Sequence, residues 1–374
     1  MAGIATFVRG WFNEPPPTFE LRSASARWGR SRTRHATRKL RVAAVIQETP
    51  TTRSFVLSPL DGGAPALAYR AGQHLTLLVD AGGATHRRCY SFSTSPLAGG
   101  LPAITVKRMA DGVVSPHLHD RLREGDTLLA LDPSGDFTLE PQADTCRHVV
   151  LVAGGVGITP LVSIAETVLR AEPGSRVTLL CGNRSEAEIV FRRRLEALAA
   201  EFEPRLTVRH ALDAAPDGWH GLRGALDGPQ VLAALAGEPA DAFFVCGPEP
   251  MMQSVCAALE SSGVPRERVH TERFAYASAA ATRIPDRAAE ITFAGSGRRV
   301  TARPGQTILQ AGLEAGVDLP FSCTMGGCGA CKVEKRAGSV VMSEPNCLSE
   351  GEREAGFVLA CCSYADSSVV IAGH

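Results

Sequence analysis

The sequence predicts a multidomain chain with three folded parts: an antiparallel β-barrel, a doubly wound α/β domain and a compact α+β domain. Three observations carry that prediction. Between Leu40 and Gln142, short β-rich runs alternate with glycine turns, the spacing of a small barrel. From Ala143 the runs become continuously apolar, and each enters a glycine turn and then a helical stretch. Beyond Ala288 the elements shorten, and Cys323, Cys328 and Cys331 crowd together with Cys361 further on. The expected parts are an N-terminal extension at 1–40, the barrel at 41–142, the α/β domain at 143–275, a linker at 276–287 and the cysteine domain at 288–374.

The 374 residues are 44% hydrophobic and 21% charged, enough for two or three sizeable cores. No apolar run approaches the roughly 20 residues that span a membrane. Met1 to Phe12 lacks the apolar core and cleavage pattern of a secretory signal. Outside the cysteine motif, Cys89, Cys146, Cys181, Cys246, Cys256, Cys347 and Cys362 follow no pattern. They read as free thiols in a reducing compartment, so the chain is expected to be cytoplasmic.

The net charge of zero hides an asymmetry. Residues 1–41 hold nine Lys/Arg against Glu14 and Glu20, net +7, and the remainder is net −7. This basic stretch contains Pro15-Pro16-Pro17, and Phe7, Val8, Trp11 and Phe12 fit one face of a short helix. It reads as a solvated arm, as a peripheral docking element for the inner face of a membrane or an acidic partner, or as a transit peptide. Nucleic acid is not expected as a partner: no aromatic interleaving accompanies the arginines, and no binding module follows.

In the barrel, Arg41–Glu48, Thr52–Leu57, His74–Val79, Ile104–Arg108 and Thr127–Leu131 are the expected strands. Arg88-Cys89-Tyr90-Ser91 could be one more plain strand. It also offers a guanidinium fork for phosphate oxygens, an aromatic face for a flat ring and a hydroxyl. In Gly112-Val-Val-Ser115-Pro116, Ser115 is expected as an N-cap and Pro116 as the first helical residue. That helix start would aim free N–H groups at an anion.

In the α/β part, His148–Ala153 is a buried strand that enters Gly154-Gly155-Val-Gly157-Ile-Thr159-Pro160. Thr159 is expected to cap the following helix, and the turn suits a pyrophosphate. It is not the G-x-G-x-x-G fingerprint, because the third glycine is missing. Val177–Cys181 leads through Gly182-Asn-Arg184-Ser185 into an expected helix, Glu186–Glu201, that carries Arg192, Arg193 and Arg194. Ala242–Val245 enters Cys246-Gly247-Pro248, again a strand end before a helix, where α/β ligands gather. His270-Thr-Glu272-Arg-Phe274 closes the domain. Ile291–Phe293 and Arg299–Ala302 then read as a hairpin and Thr307–Ala315 as a helix.

The cysteines have the spacing C-x4-C-x2-C, with a fourth after 29 residues. That spacing suits four thiolates around a 2Fe–2S cluster. Gly326, Gly327 and Gly329 give the loop the backbone freedom to wrap it. Zinc is the rival, but zinc pairs more often come as two repeated short-spaced pairs. Cys361 and Cys362 compete for the fourth place. Cys361 ends the apolar run Phe357-Val-Leu-Ala, and is preferred.

Taken together, residues 40–374 resemble the ferredoxin–NADP reductase family of flavin oxidoreductases, fused to a plant-type, β-grasp-like ferredoxin domain from Pro304 to Ile371. The resemblance implies FAD in the barrel, with Arg88 on the flavin pyrophosphate, Tyr90 packed on the isoalloxazine and Ser91 near flavin N5. Gly112 and Ser115 would hold the pyrophosphate, with Lys107 near the flavin edge. Gly155, Gly157 and Thr159 would form the nucleotide turn. Arg184 and Ser185 would meet the adenosine ribose or its 2′-phosphate, which favours NADPH over NADH. Cys246, Gly247 and Pro248 would lie beside the nicotinamide, with Ser91 and Cys246 at the hydride path and Phe274 covering part of the flavin. Cys323, Cys328, Cys331 and Cys361 would ligate the cluster.

The implied activity is electron transfer from NAD(P)H through FAD and 2Fe–2S to a protein acceptor. That acceptor would be an oxygenase or, as the basic extension suggests, a fatty-acid (acyl-CoA) desaturase. Reductases of phenylacetyl-CoA- and steroid-type monooxygenases are the close alternatives. A redox-sensing electron carrier and a membrane-linked scaffold are the alternatives from other classes.

Overall fold

The computed structural model describes residues 37–60, 67–274, 282–344 and 346–372. The basic extension, apart from its last residues, lies outside them.

The first sheet is built from β1 (Arg38–Thr49), β2 (Thr52–Pro59), β3 (His74–Ala81), β4 (Ala84–Ser91), β5 (Ala103–Lys107) and β6 (Thr127–Ala130), with helix α1 (Val114–Arg121) before the last strand. The strand order is β4-β3-β6-β1-β2-β5, and all pairs are antiparallel. The two edges meet where Phe92, just past β4, bridges Ile104 of β5. Apolar residues at alternate positions fill the inside, among them Val42, Phe55, Leu57, Leu75 and Leu77. Of β4, the sequence offers only Arg88–Ser91 as a possible strand, and the strand starts four residues earlier, at Ala84. Its sequence, Ala-Thr-His-Arg-Arg-Cys-Tyr-Ser, carries no apolar alternation, because Arg87, Arg88 and Ser91 reach the other two domains while Tyr90 packs against the barrel core.

The second sheet holds β7 (His148–Gly154), β8 (Arg176–Asn183), β9 (Leu206–Leu212), β10 (Leu222–Arg223), β11 (Ala242–Cys246) and β12 (Val269–Glu272). Its order is β10-β9-β8-β7-β11-β12, and every pair is parallel. Helices α2 (Ile158–Ala171), α3 (Arg192–Glu201), α4 (Gly228–Leu235) and α5 (Glu249–Ser261) cover it. Two separate apolar clusters form its core. The sheet is therefore covered on both faces, as continuous apolar strands require. The expected helix Glu186–Glu201 starts six residues late. A single 3₁₀ turn, 186–188, is followed by Ile189, Val190 and Phe191, all 4% exposed, and Phe191 has φ 62°. Burying three apolar residues in a row overrides the helical period there.

The third part is a mixed sheet, β14-β13-β19-β15-β17, with a small β16–β18 pair. Its strands are β13 (Ala289–Phe293), β14 (Arg298–Ala302), β15 (Lys332–Ala337), β16 (Val340–Met342), β17 (Phe357–Leu359), β18 (Ser363–Ala365) and β19 (Val369–Ile371). Helix α6 (Ile308–Glu314) packs on it, and a short α7 (Glu350–Glu354) follows. Both helices start in capping boxes, Thr307 with Gln310 and Ser349 with Glu352.

The domains meet through different kinds of contact. Ala71, Phe137 and Leu139, from the barrel side, join the apolar core under β7 and α2. Phe137 meets Phe244 edge to face at 5.3 Å. Around that staple the interface is polar. Ser163 Oγ donates to the Thr94 carbonyl at 2.6 Å, Ser95 Oγ lies 2.7 Å from Thr167 Oγ1, and Lys107 pairs with Glu188 at 3.5 Å. Arg194 reaches both the Ser93 carbonyl and the buried carboxylate of Glu166.

Candidate active site at the domain junction

The carboxyl ends of β7 and β11 lie side by side, with Ala153 paired to Cys246. Both turns leaving these ends are glycine-rich, for a steric reason. A Cβ on Gly157 would stand 2.2 Å from the Cys246 carbonyl oxygen, and one on Gly247 would stand 2.8 Å from the Gly154 amide nitrogen. The two turns are packed backbone against backbone, so only glycine fits. Gly155 (φ 52°) and Pro248, which precedes α5, complete the lip. This is where a parallel sheet binds a nucleotide.

Two expected caps are not caps. The 3₁₀ turn 155–157 leads directly into α2, so Thr159 is the second helical residue and its hydroxyl donates back to the Val156 carbonyl at 3.0 Å. Likewise α1 begins at Val114 with no side-chain cap, and Ser115 Oγ instead accepts the Met109 N–H at 3.1 Å. In both places the preceding residues already turn with helical geometry, which shifts the start upstream. Gly112 sits against Ser115 Oγ, at a distance of 3.1 Å for an added Cβ. The Gly112–Ser115 turn is therefore tight against Met109, with its amides at the head of α1.

The arginines divide by their partners. Arg192 is paired with Glu186 at 2.6 Å and Glu196 at 3.2 Å, and Arg194 with Glu166 at 2.6 Å. Arg184, exposed at the end of β8 beside half-buried Ser185, forms no ion pair among the described residues. Its guanidinium is available to an anion. Lys107 is turned to Glu188, away from the barrel.

The barrel strand β4 has two faces. Tyr90 packs half-buried against the barrel core, while Arg88 donates to the Met325 thioether at 2.9 Å. On the other face Ser91, 3% exposed, donates to Glu272 of β12 at 3.5 Å. Glu272 is in register with Cys246 on the neighbouring strand. Desolvation in this cleft pushes the Glu272 carboxyl up to about 8, with the Ser91 bond opposing. Arg273 does not neutralise it, because its guanidinium is paired with Glu249 at 2.9 Å. Cys246 is fully buried, and burial followed by the Glu272 charge pushes its thiol well up, so it stays protonated.

A small cavity of about 30 Å³ lies where the three domains meet, lined by His74, Ser91, Glu272, Phe274, Cys323 and Cys328 among others. Phe274, 42% exposed, forms part of its rim. The sequence places Ser91, Phe274, Cys323 and Cys328 at the site, but not His74, Cys89 or Glu272. Cys89 and Glu272 lie inside the motifs that point here, whereas His74 has no local signal.

The four motif cysteines form two sulfur pairs, Cys323 with Cys328 and Cys331 with Cys361, each within hydrogen-bond reach. Backbone N–H groups turn inward onto them: Met325 on Cys323 at 3.4 Å, Cys323 on Cys328 at 3.5 Å and Gly326 on Cys361 at 3.2 Å. Gly326 and Gly329 adopt the left-handed conformation that the wrap needs, as does Thr324, whereas Gly327 does not. Four soft sulfurs cradled by inward amides fit a 2Fe–2S cluster. Cys362 is 4% exposed and packs in the domain core.

The comparisons with known proteins agree with this geometry. Residues 39–139 match the oxidoreductase FAD-binding domain, 151–257 the oxidoreductase NAD-binding domain, and 291–366 the 2Fe-2S iron-sulfur cluster binding domain. The ferredoxin reductase component of 3-ketosteroid-9-alpha-monooxygenase from Rhodococcus rhodochrous is 36% identical over 337 residues, which span 86% of this chain and 92% of that protein. A component of the 1,2-phenylacetyl-CoA epoxidase of Escherichia coli K12 is 32% identical over 338 residues, 86% of this chain and 93% of that one. The solved structure of phthalate dioxygenase reductase has the same fold, with a TM-score of 0.58 at 24% identity over 90% of this chain and 98% of that one. By domain content, order and sequence, this chain belongs to the family of NAD(P)H-dependent flavin and 2Fe–2S oxidoreductases that serve as the reductase components of oxygenases.

Proposed function

We propose that this chain carries electrons from NAD(P)H to a separate oxygenase protein, and that the three-domain junction is where they pass. FAD takes a hydride as an electron pair and releases electrons singly, and a 2Fe–2S cluster carries one at a time. The protein's part is placement. The observation that carries the reading is one strand, β4, touching both the Glu272 cleft through Ser91 and the cluster loop through Arg88. An oxygenase acceptor is favoured over a desaturase because both relatives above bear monooxygenase or epoxidase names. In this reading Cys323, Cys328, Cys331 and Cys361 hold the cluster. Cys361→Ser should lose the cluster's visible spectrum and cytochrome c reduction while keeping NADPH–ferricyanide activity, and Cys362→Ser should keep all three. Swapped outcomes would reverse the ligand assignment, and cytochrome c reduction absent from the wild type would favour a carrier or sensor.

Ser91, Glu272 and Cys246 form the hydride end. A neutral Glu272 next to Ser91 suits a step that delivers negative charge. With its pKa at about 8, Glu272 is neutral below that pH and charged above it. Hydride transfer, measured by stopped-flow flavin bleaching, should therefore slow as pH rises through that region, and Glu272→Gln should flatten the profile. The stability term has the same sign. It is complete below the ordinary carboxyl pKa of about 4.3 and fades as pH climbs toward the folded value. An unchanged profile in Glu272→Gln would remove this residue from the step.

Arg184 and Ser185 are placed to choose the coenzyme, and an uncommitted arginine favours NADPH. A charge-assisted contact to a 2′-phosphate contributes about 1.5–3 kcal/mol. Arg184→Ala should then lower kcat/KM for NADPH by about 10–100-fold and leave NADH nearly untouched. Equal losses would mean that Arg184 acts on the shared part of the coenzyme.

The location is proposed to be cytoplasmic, with the basic extension as a peripheral contact to anionic membrane or to the acceptor. No helix among the described residues is long and apolar enough to cross a membrane. The net charge of +7 over residues 1–41 supports electrostatic docking, at about 1 kcal/mol for each Lys or Arg near the surface. Removing residues 1–39 should weaken binding to phosphatidylserine vesicles at low salt and leave cytochrome c reduction intact. A drop in melting temperature without any vesicle affinity in the full chain would make the extension a structural strap.

A further inference from the structure

Cys89 has no part in the chemistry set out above, yet it stands between the two redox sites. On β4 it points to the face opposite Arg88 and Tyr90. Its sulfur lies within hydrogen-bond reach of both Cys323 and Cys328. The Cys89 and Cys328 sulfurs and a His74 ring nitrogen all lie within 4.8 Å of one another. Behind Cys89 is its cross-strand partner Thr76, whose hydroxyl is 3.1 Å from the Cys89 sulfur. Thr76 in turn meets the Ser322 hydroxyl at 2.7 Å. Thr76 and Ser322 are 0% and 2% exposed, so these groups must satisfy one another.

The chemistry of the ligands gives this row a direction. Cys323 and Cys328 bind iron as thiolates, which accept hydrogen bonds and have no proton to give. Four ligands complete the cluster without Cys89, so Cys89 keeps its proton. We propose that Cys89 donates its S–H to the Cys323–Cys328 pair, and that Ser322 and Thr76 orient it through O–H bonds running toward the cluster. The His74 ring is engaged by Ser134 at 3.1 Å. The inference rests on the flavin and cluster reading above and adds a tuning group to it. A donor aimed at ligand sulfur favours the reduced cluster, which carries one more negative charge, and aligned donors strengthen one another. The strand that carries the proposed flavin contacts thereby also sets the cluster's potential. Because β4 reaches Cys323 and Cys328 and not the Cys331–Cys361 pair, the effect acts on the side of the cluster that faces the barrel.

The test is a redox titration of the cluster in the full-length holoenzyme, followed by EPR, with the flavin midpoint recorded optically in the same samples. Cys89→Ala should shift the cluster midpoint to a more negative value and leave the flavin midpoint in place. Cys89→Ser, which restores a donor, should return the cluster midpoint toward wild type. In D₂O the reduced wild-type cluster should show an exchangeable-deuteron coupling that Cys89→Ala lacks. An alanine variant with the wild-type midpoint, or a serine variant shifted as far as alanine, would overturn the proposal, since packing alone would then explain Cys89. Should Cys89→Ala assemble no cluster, the deuteron couplings of wild type and Cys89→Ser decide. Altered coupling supports the S–H donor, and identical coupling overturns it. A wild-type protein with no 2Fe–2S EPR signal would instead overturn the cluster reading itself.

Discussion

A buried arginine holds the cluster loop on the barrel, and the electron path depends on it. Arg87 of β4 is 9% exposed. Its guanidinium donates to the Ser322 carbonyl at 3.1 Å and lies 5.2 Å from the Phe321 ring centre. Burial pulls its pKa down to about 10, against the opposing pull of Cys323 and Cys89, so it remains charged at neutral pH. A charge buried at a domain boundary is costly unless it is matched. Here the match is a carbonyl, an aromatic face and the neighbouring sulfurs of Cys323 and Cys89. Without that match β4 would have little reason to meet a loop more than 230 residues away in the chain. With it, Thr76, Cys89 and Arg88 all fall into contact with the same loop.

Much of the architecture was legible in the sequence because it rests on local periodicity. The apolar runs of β7, β8 and β11 and their glycine turns announce a parallel sheet, and the turn residues identify its ligand edge. The errors are local too. Thr159 and Ser115 look like caps because of Pro160 and Pro116, but a preceding turn of helical geometry takes the cap's place. Ile189 to Phe191 breaks an expected helix because core burial outweighs propensity there. β4 lacks alternation because Arg87, Arg88 and Ser91 point to the other two domains. The site was legible only as fragments. Glu272 and Cys89 lay within recognised motifs, yet their meeting with Ser91 and Cys328 is a product of tertiary packing. His74 is a core strand residue, and only the fold brings it to the cysteines.

The two domain junctions differ in kind, and the chemistry of each explains the difference. Between barrel and nucleotide domain an apolar staple, Phe137 and Leu139, enters the core under α2, with hydroxyl and ion-pair contacts around it. Burying one phenylalanine side chain contributes about 1.5–3 kcal/mol, more than any surface ion pair there. Hydride transfer requires it, because the donor and acceptor atoms must sit within contact distance and small misplacement is expensive. The ferredoxin-like core, by contrast, shares no apolar cluster with the other two parts among the described residues. Its contacts to β3 and β4 are Thr76, Arg87, Arg88 and Cys89 on Ser322, Cys323, Met325 and Cys328, almost all polar. Single-electron transfer tolerates slack that a hydride does not. A polar junction suits it, since such an interface fixes orientation while leaving each domain its own complete core. The staple therefore belongs where atoms move, and the polar clasp where only electrons do.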